Sequence, residues 1–173
     1  MGLILVDEHD IPIGTMEKIE VHQKALLHRA FSVFILNDKA EMLLQQRAMK
    51  KYHSAGLWTN ACCSHPLQGE DTRAAAEKRL NEEMGFTVPL EKVFDFIYRA
   101  ELENGLTEHE YDHVFIGTFN GIVKPDKNEV MDYCFKPISD IRSSIQSHPH
   151  RYTEWFKIAF PKVEEYLATM PVK

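Results

Sequence analysis

The chain has 173 residues, of which 44% are hydrophobic and 27% are charged. These proportions match ordinary globular domains, and they exclude a disordered chain, a collagen-like repeat and a coiled-coil rod. With 20 Lys and Arg against 26 Asp and Glu, the net charge of −6 has the wrong sign for a surface that tracks nucleic acid. Apolar runs are far shorter than the roughly 20 residues of a membrane-spanning helix. We therefore expect neither a nucleic-acid partner nor a membrane partner.

The cysteines and the N-terminal segment indicate a cellular compartment. Cys62, Cys63 and Cys134 are too few and too unevenly placed for a disulfide framework, which favours a reducing environment. The first residues reach an acid at Asp7 without a basic or a long apolar segment, so they do not predict a secretory signal. We expect a cytoplasmic protein with a single domain over residues 1–173, as a monomer or weak dimer.

The first third of the chain is predicted to form strands. Residues 2–7 are an apolar run followed by Asp, Pro and Gly, which is typical of a strand with a hairpin return. Residues 28–47 contain two apolar runs around Asn37, Asp38 and Lys39, which favours a second hairpin.

The middle of the chain predicts a helix and then two strands. Residues 72–84 are rich in Ala, Leu, Glu, Lys and Arg, and Gly85 is expected to end this helix. Residues 93–102 and 110–119 have the composition of strands, with a turn between them.

The last third returns to helical composition over residues 138–167, with Pro137, Pro149 and Pro161 as expected breaks. Strands followed by helices in this order predict an α+β fold, in which a mixed sheet carries helices on its faces.

The densest group of reactive side chains lies at residues 59–66. If this segment is extended, Cys63 and His65 project to the same face, because side chains alternate along a strand. A nucleophile or acid and a metal ligand could then share one cavity. The alternative is that Cys63 is a small buried hydrophobic residue and His65 a hydrogen-bonded turn residue. The pattern alone favours that alternative.

Glu108 and Glu110 follow the same spacing, so they would repel each other unless a metal or a proton neutralises one of them. His22 and His28 add two possible imidazole ligands, although histidines six residues apart are a weak metal signal. Each pair alone also suits a structural or solvated position. Together with His65 they could form one site of nitrogen and oxygen ligands for Zn²⁺, Mn²⁺ or, less well, Mg²⁺.

Basic residues suggest an anion site. Arg47, Lys50 and Lys51 follow a predicted strand, and Lys18 lies near the first hairpin, so these side chains could hold a diphosphate. A solvated basic loop explains them equally well. Trp155 is by default a core aromatic residue, but an indole face in a closed pocket could stabilise a carbocation.

Taken together, these motifs resemble the type 1 isopentenyl-diphosphate isomerases of the Nudix superfamily. The resemblance covers most of the chain, and its most specific part is GLWTNACCSHP at residues 56–66, followed by GLTEHEYDHVF at residues 105–115. It implies a Nudix-like mixed β-sheet sandwiched between helices. The Nudix signature can be laid on residues 64–86, with Lys78 and Arg79 in place of its Arg-Glu pair. Replacing a metal-binding glutamate by a cation should weaken hydrolysis.

The resemblance implies a reaction of isoprenoid biosynthesis, the 1,3 proton shift that interconverts isopentenyl diphosphate and dimethylallyl diphosphate. One group must protonate the terminal alkene carbon while another removes an allylic proton. The family's catalytic residues correspond to Cys63 and Glu110. Tyr98 corresponds to a tyrosine that supports the glutamate, and Trp155 to the indole near the cation.

The resemblance also implies the ligand sets. The metal site, for one Zn²⁺, Mn²⁺ or Mg²⁺, corresponds to His22, His28, His65, Glu108 and Glu110. Some bacterial members have one more residue between the first two histidines, so His22 is placed less directly than the others. A Mg²⁺ that arrives with the substrate would be held by the diphosphate and Glu83. The diphosphate contacts correspond to Lys18, Arg47, Lys51 and Arg79.

Two other functions remain open at this point. A Nudix pyrophosphohydrolase of a nucleoside diphosphate derivative would keep the fold, but Lys78, Arg79 and the cysteine motif count against it. A non-catalytic metal-binding domain would not need Trp155 or clustered cations. No Gly-rich dinucleotide motif is present, so no flavin is expected. Cys62 is expected to be a packing residue and Cys134 a buried thiol, and the six other histidines are expected to be surface or hydrogen-bonded residues.

Overall fold

The computed structural model describes residues 2–170. Its strands are β1 (Leu3–Val6), β2 (Pro12–Met16), β3 (His28–Leu36), β4 (Glu41–Arg47), β5 (Trp58–Thr59), β6 (Cys62–Ser64), β7 (Glu91–Glu101), β8 (Thr107–Thr118) and β9 (Val130–Pro137). Its α-helices are α1 (Lys18–Lys24), α2 (Thr72–Met84), α3 (Ile138–Ser147) and α4 (Glu154–Ala168).

The strands of the described residues form one mixed sheet with β3 in its middle. β3 runs parallel to β8, in a register that begins with His28 opposite Glu110. On its other edge β3 pairs antiparallel with β6, where Ser32 lies opposite Cys63. β4 pairs with β9, and β7 with β8, both antiparallel. The register therefore brings a histidine, a glutamate and a cysteine from distant parts of the sequence to neighbouring strands.

Helices cover both faces of this sheet. On one face Leu80 of α2 packs in a cluster with Phe31 of β3, and on the other Phe156 of α4 packs in a cluster with Phe34 of the same strand. Alternation of side chains along β3 sends residues 31 and 34 to opposite layers. Burial of each such side chain stabilises the fold by about 1.5–3 kcal/mol. The predicted α+β fold, a mixed sheet between helices, is confirmed.

The helix predicted over residues 72–84 is confirmed as α2. It begins after Asp71, whose carboxylate accepts a hydrogen bond from the backbone N–H of Ala74 at 2.9 Å. It ends at Gly85, which has a φ of 76°. A side chain there would be strained and would also collide with the backbone carbonyl of Lys124. Both ends of α2 are thus encoded locally.

The predicted strands are also present, but the second hairpin differs in its pairing. β3 and β4 are joined by a short turn, yet the residues they pair directly are Leu36 and Met42. Beyond that point β3 pairs with β6 and β8, and β4 with β5 and β9. Each strand therefore gains more partners by diverging than a simple hairpin would give it.

The expectation that Pro161 breaks the last helix is wrong. Pro161 lies inside α4 and is exposed, so the carbonyl of Lys157 that loses its hydrogen bond can face water. Phe160 and Val163 on either side are buried in the core and hold the two halves of the helix in line. Pro137 and Pro149 do lie outside the α-helices or at their boundaries.

Several elements lie outside the sequence predictions, among them α1, which begins at Lys18, the short β5, and β9, which begins at Val130. Within residues 2–170, no helix is long and apolar enough to cross a membrane. The prediction of a single domain over residues 1–173 stays a prediction.

Candidate active site

One cleft gathers side chains from α1, α2, α4 and three strands. The predicted site residues that line it are Lys18, Arg47, Lys51, Cys63, His65, Arg79, Glu83, Glu108, Glu110 and Trp155. His22, His28 and Tyr98 stand behind this lining, in contact with it. The fold therefore brings the predicted residues to one place, whatever role each one plays.

Three imidazoles and one carboxylate form the tightest group. His22 of α1, His28 of β3, His65 after β6 and Glu110 of β8 each offer one ligand atom, and these atoms lie within 4.8 Å of one another. The short spacing from His22 to His28 is accommodated by Ala25, which ends α1 with a left-handed φ of 55°. The two rings then lie 5.2 Å apart. The placement of His22 beside the others thus agrees with its predicted role.

The hydrogen bonds of this group leave nitrogen lone pairs for a metal. His22 Nδ1 lies 2.8 Å from the carbonyl of Lys18, and His28 Nδ1 lies 2.9 Å from that of Leu26, so each Nδ1 carries the proton. The two Nε2 atoms are buried and have no hydrogen-bond partner. Burial lowers the pKa of His22, and it lowers that of His65 to about 4. Neutral imidazoles with converging lone pairs beside a carboxylate fit a divalent cation.

Glu108 lies next to this group rather than in it. The Tyr98 hydroxyl is hydrogen-bonded to both carboxylates, to Glu108 Oε2 at 2.6 Å and to Glu110 Oε1, and its single proton can be donated to only one of them at a time. Burial and the charge of Glu110 raise the pKa of Glu108. Burial also acts to raise the pKa of Glu110, but the imidazoles of His28 and His65, whose Nε2 atoms lie 3.3 Å and 2.9 Å from Glu110 Oε2, outweigh it and hold that pKa well below its usual range. The two glutamates thus differ in the direction in which their surroundings move the pKa, down for Glu110 and up for Glu108.

Alternation along β6 separates the two neighbouring cysteines. Cys63 lines the cleft, and burial and the nearby charge of Asp112 raise its pKa. Cys62 points into the core beneath α2, where its thiol donates to Glu83 Oε2 at 3.0 Å. This agrees with the expected packing role of Cys62 and leaves Cys63 as the thiol of the cleft.

Four predicted diphosphate contacts converge on the cleft, and two of them share an acidic partner. Lys51 Nζ lies 2.6 Å from Glu129 Oε2, and Arg79 Nη2 lies 3.2 Å from the same oxygen. Removal from water and the charges of Lys51 and Arg47 lower the pKa of Lys18. A local cluster of positive charge therefore exists within a chain of net charge −6, which suits an anionic ligand. Glu129 belongs to this cluster and was not predicted.

Lys50 does not join the cluster. Its ammonium group is exposed and lies 2.5 Å from Asn128 Oδ1, and it does not line the cleft. The sequence placed Lys50 and Lys51 together, but consecutive residues of a loop point in different directions.

The cleft also contains His53, a residue to which the sequence assigned no role. Its ring lies 5.7 Å from that of Trp155, and its backbone carbonyl accepts a hydrogen bond from Arg47 at 3.1 Å. Burial and the charges of Arg47 and Lys18 lower its pKa to about 3, so the imidazole is neutral. A lone histidine in a loop gives no signal of such a position.

The fold and the site together define a Nudix domain. The NUDIX domain family model matches residues 26–156. A solved structure from Deinococcus radiodurans aligns with a TM-score of 0.78 at 11% identity, covering 94% of this chain and 98% of that one. A MutT protein from Methanosarcina mazei aligns with a TM-score of 0.65 at 19% identity, covering 80% and 94%. At such identities the likeness shows the fold alone.

Relatives with higher identity define the family within that class. An isopentenyl-diphosphate Delta-isomerase 2 from Photorhabdus laumondii is 52% identical over 169 residues, which cover 95% of this chain and 96% of that protein. An isopentenyl-diphosphate Delta-isomerase from Pectobacterium atrosepticum is 46% identical over 164 residues, which cover 95% and 92%. The chain belongs to the isopentenyl-diphosphate Delta-isomerase family and is an isomerase.

Proposed function

We propose that this protein interconverts isopentenyl diphosphate and dimethylallyl diphosphate in isoprenoid biosynthesis. The observation that carries the proposal is one cleft that contains a thiol, a buried pair of glutamates and a cluster of cations. The reaction adds one proton to the terminal alkene carbon and removes one from the allylic carbon. It therefore needs two acid/base groups and an anchor for the diphosphate.

Cys63 and Glu110 carry the two proton transfers. In each direction one of them gives a proton to carbon, the double bond shifts, and the other takes the allylic proton. Exchange with water then restores both groups. Tyr98 supports Glu110 because its hydroxyl is hydrogen-bonded to Glu110 Oε1. The raised pKa of Cys63 keeps its proton available as an acid.

Trp155 faces the carbon that becomes positively charged between the two transfers. Its indole lines the cleft, and the Arg47 guanidinium carbon lies 5.1 Å from the ring centre. That contact illustrates that the ring accepts a cation, because the face of an indole is the negative side of its quadrupole.

The diphosphate is held by Lys18, Arg47, Lys51 and Arg79. Burial and the charges of Lys51 and Arg47 lower the pKa of Lys18, so a bound anion stabilises its charged form by offsetting that repulsion. A Mg²⁺ that accompanies the substrate would be held by the diphosphate and Glu83, whose carboxylate lies 3.2 Å from Arg79 Nε at the lining of the cleft.

A second ion, Zn²⁺, Mn²⁺ or Mg²⁺, would be held by His22, His28, His65 and Glu110, with Glu108 completing the set. When bound, such an ion neutralises the carboxylate pair and fixes the orientation of Glu110. The three imidazoles present unprotonated nitrogens to it, and the carbonyls of Lys18 and Leu26 keep two of the rings in that tautomer.

The assay that tests the proposal incubates the purified protein with isopentenyl diphosphate and Mg²⁺. We expect dimethylallyl diphosphate, incorporation of deuterium from heavy water and no release of phosphate. Cys63→Ala should abolish turnover, while Cys62→Ala, on the other face of β6, should retain it. Phosphate release without isomer would identify a hydrolase, and equal loss in both variants would refute the role of Cys63.

We also propose a cytoplasmic protein that forms one domain over residues 1–173 and acts as a monomer or weak dimer, without flavin or nucleic acid. The three cysteines are free thiols, as a reducing compartment requires.

A further inference from the structure

Asn60, between β5 and β6, has a fixed orientation although it does not line the cleft. The residue is 1% exposed. Its amide nitrogen donates to the carbonyls of Val33 and Cys62, both at 2.9 Å. Rotating the amide by 180° would point its oxygen at these two acceptors, so only one orientation is compatible with them. The backbone therefore determines where Asn60 Oδ1 points.

That oxygen points at the thiol of Cys63. Cys63 Sγ lies 3.2 Å from Asn60 Oδ1 and 3.5 Å from Ser32 Oγ. Ser32 donates its own proton to Asp112 Oδ2 at 2.7 Å, so towards Cys63 it offers only lone pairs. Either neighbour can thus accept the single thiol proton, the nearer one being Asn60 Oδ1, and neither donates a proton to the sulfur.

We propose that Asn60, with Ser32 beside it, is a positioning residue for Cys63. Two acceptors fix the rotamer of the thiol and leave the free side of the sulfur for the substrate. Asn60 itself does not touch the substrate. The inference rests on the proposed role of Cys63 as an acid/base group, because proton transfer to carbon depends steeply on the position of the donor.

Gln45 of β4 provides a matched control. It is also a buried amide, 2% exposed, and it donates to the backbone carbonyl of Ala61 at 2.7 Å in the same segment. It makes no contact with the thiol among the hydrogen bonds of residues 2–170. Loss of Gln45 should destabilise the segment to a similar extent without releasing Cys63.

The test compares steady-state kinetics of Asn60→Ala and Gln45→Ala on isopentenyl diphosphate with Mg²⁺, together with their melting temperatures. We expect Asn60→Ala to lower kcat about 100-fold with KM within about threefold of wild type. Gln45→Ala should keep both constants within about threefold. Wild-type kcat in Asn60→Ala, or an equal fall in both variants, would overturn the inference.

Two further variants cover the remaining outcomes. If Asn60→Ala does not fold, Ser32→Ala decides: kcat should fall about tenfold at unchanged KM, and an unchanged kcat refutes the positioning role. Cys63→Ala separates this inference from the proposed function. If Cys63→Ala keeps its turnover, the catalytic assignment itself is wrong. If Cys63→Ala is inactive and Asn60→Ala is normal, only the positioning role fails.

Discussion

Helix α2 and strand β8 each bring two glutamates to the neighbourhood of one cleft, but they place them differently. Glu82 and Glu83 are consecutive on a helix, where side chains turn by about 100° per residue. The side chain of Glu82 is therefore 46% exposed and that of Glu83 only 7%. Glu108 and Glu110 are two apart on a strand, so both are buried on one face.

The difference determines how each pair is neutralised. Arg79 lies 3.2 Å from both Glu82 and Glu83, so the helix pair already has a cation. The strand pair faces a tyrosine hydroxyl and neutral imidazoles, and it needs a proton or a metal ion. The acids of the helix therefore suit a supporting role, and those of the strand suit acid/base chemistry.

The largest effect, a loss of kcat, is expected from substituting a glutamate of β8. Glu110→Gln keeps the shape of the side chain but cannot transfer a proton, and we expect kcat to fall by at least about 1,000-fold. Glu101→Gln, exposed at the end of the neighbouring strand, is the control and should behave as wild type. A Glu110→Gln protein with more than a tenth of the wild-type kcat would contradict the assignment.

Metal binding provides the second test of the strand site. His28→Ala removes a buried imidazole whose Nε2 has no hydrogen-bond partner, and we expect the affinity for Zn²⁺ or Mn²⁺ to fall at least about 100-fold. Equilibrium dialysis with metal analysis measures this without reference to activity. Chelation should also lower the melting temperature of the wild type, because a ligand that binds only the folded state stabilises it.

The exposed His150 supplies the control for that measurement. His150→Ala should bind metal as the wild type does. If His28→Ala and the wild type bind the ion equally well, the converging imidazoles are not its ligands.

Local sequence determines some of these features and not others. α2 was predictable because Asp71 and Gly85 encode its ends, and the opposite facing of Cys62 and Cys63 followed from the alternation of a strand. The TNACCSHP motif identified the family because few arrangements share it. These signals all lie within a few residues of the feature that they predict.

Other features depend on contacts between distant segments. His53 is neutral because it is buried, with its ring against Trp155, and because the charges of Arg47 and Lys18 lower its pKa further. None of these residues is adjacent to it in sequence. β9 has mostly exposed side chains, and what defines it as a strand is its pairing with β4, which is distant in sequence. Pro161 is tolerated for a similar reason, since burial of α4 compensates its missing hydrogen bond.

Substitution of a glutamate on α2 is expected to have a smaller effect, on KM rather than on kcat. Glu83→Gln removes the charge that would hold Mg²⁺ with the diphosphate, so we expect KM for the magnesium-loaded substrate to rise about tenfold. kcat should change much less, because Glu83 is not one of the proton-transferring groups. A kcat loss as large as that of Glu110→Gln would refute the proposed difference in role between the glutamates of α2 and those of β8.

Glu82→Gln is the matched control for this variant. It removes the same charge one position away, where the side chain is exposed, and it should leave KM within about twofold of the wild type. Equal KM values for the Glu82 and Glu83 variants would mean that the buried Glu83 has no role in substrate binding that the exposed Glu82 lacks.

The smallest effect is expected for two adjacent lysines. Lys51 lines the cleft beside Glu129, while Lys50 points to Asn128 at the surface. Lys51→Ala should raise KM about fivefold, since one of several cationic contacts to the diphosphate is lost, and Lys50→Ala should raise it less than twofold. Titration with inorganic diphosphate as a competitor measures the same difference without turnover. If Lys50→Ala weakens binding as much as Lys51→Ala, the anion is attracted by the general charge of the loop rather than held in the cleft.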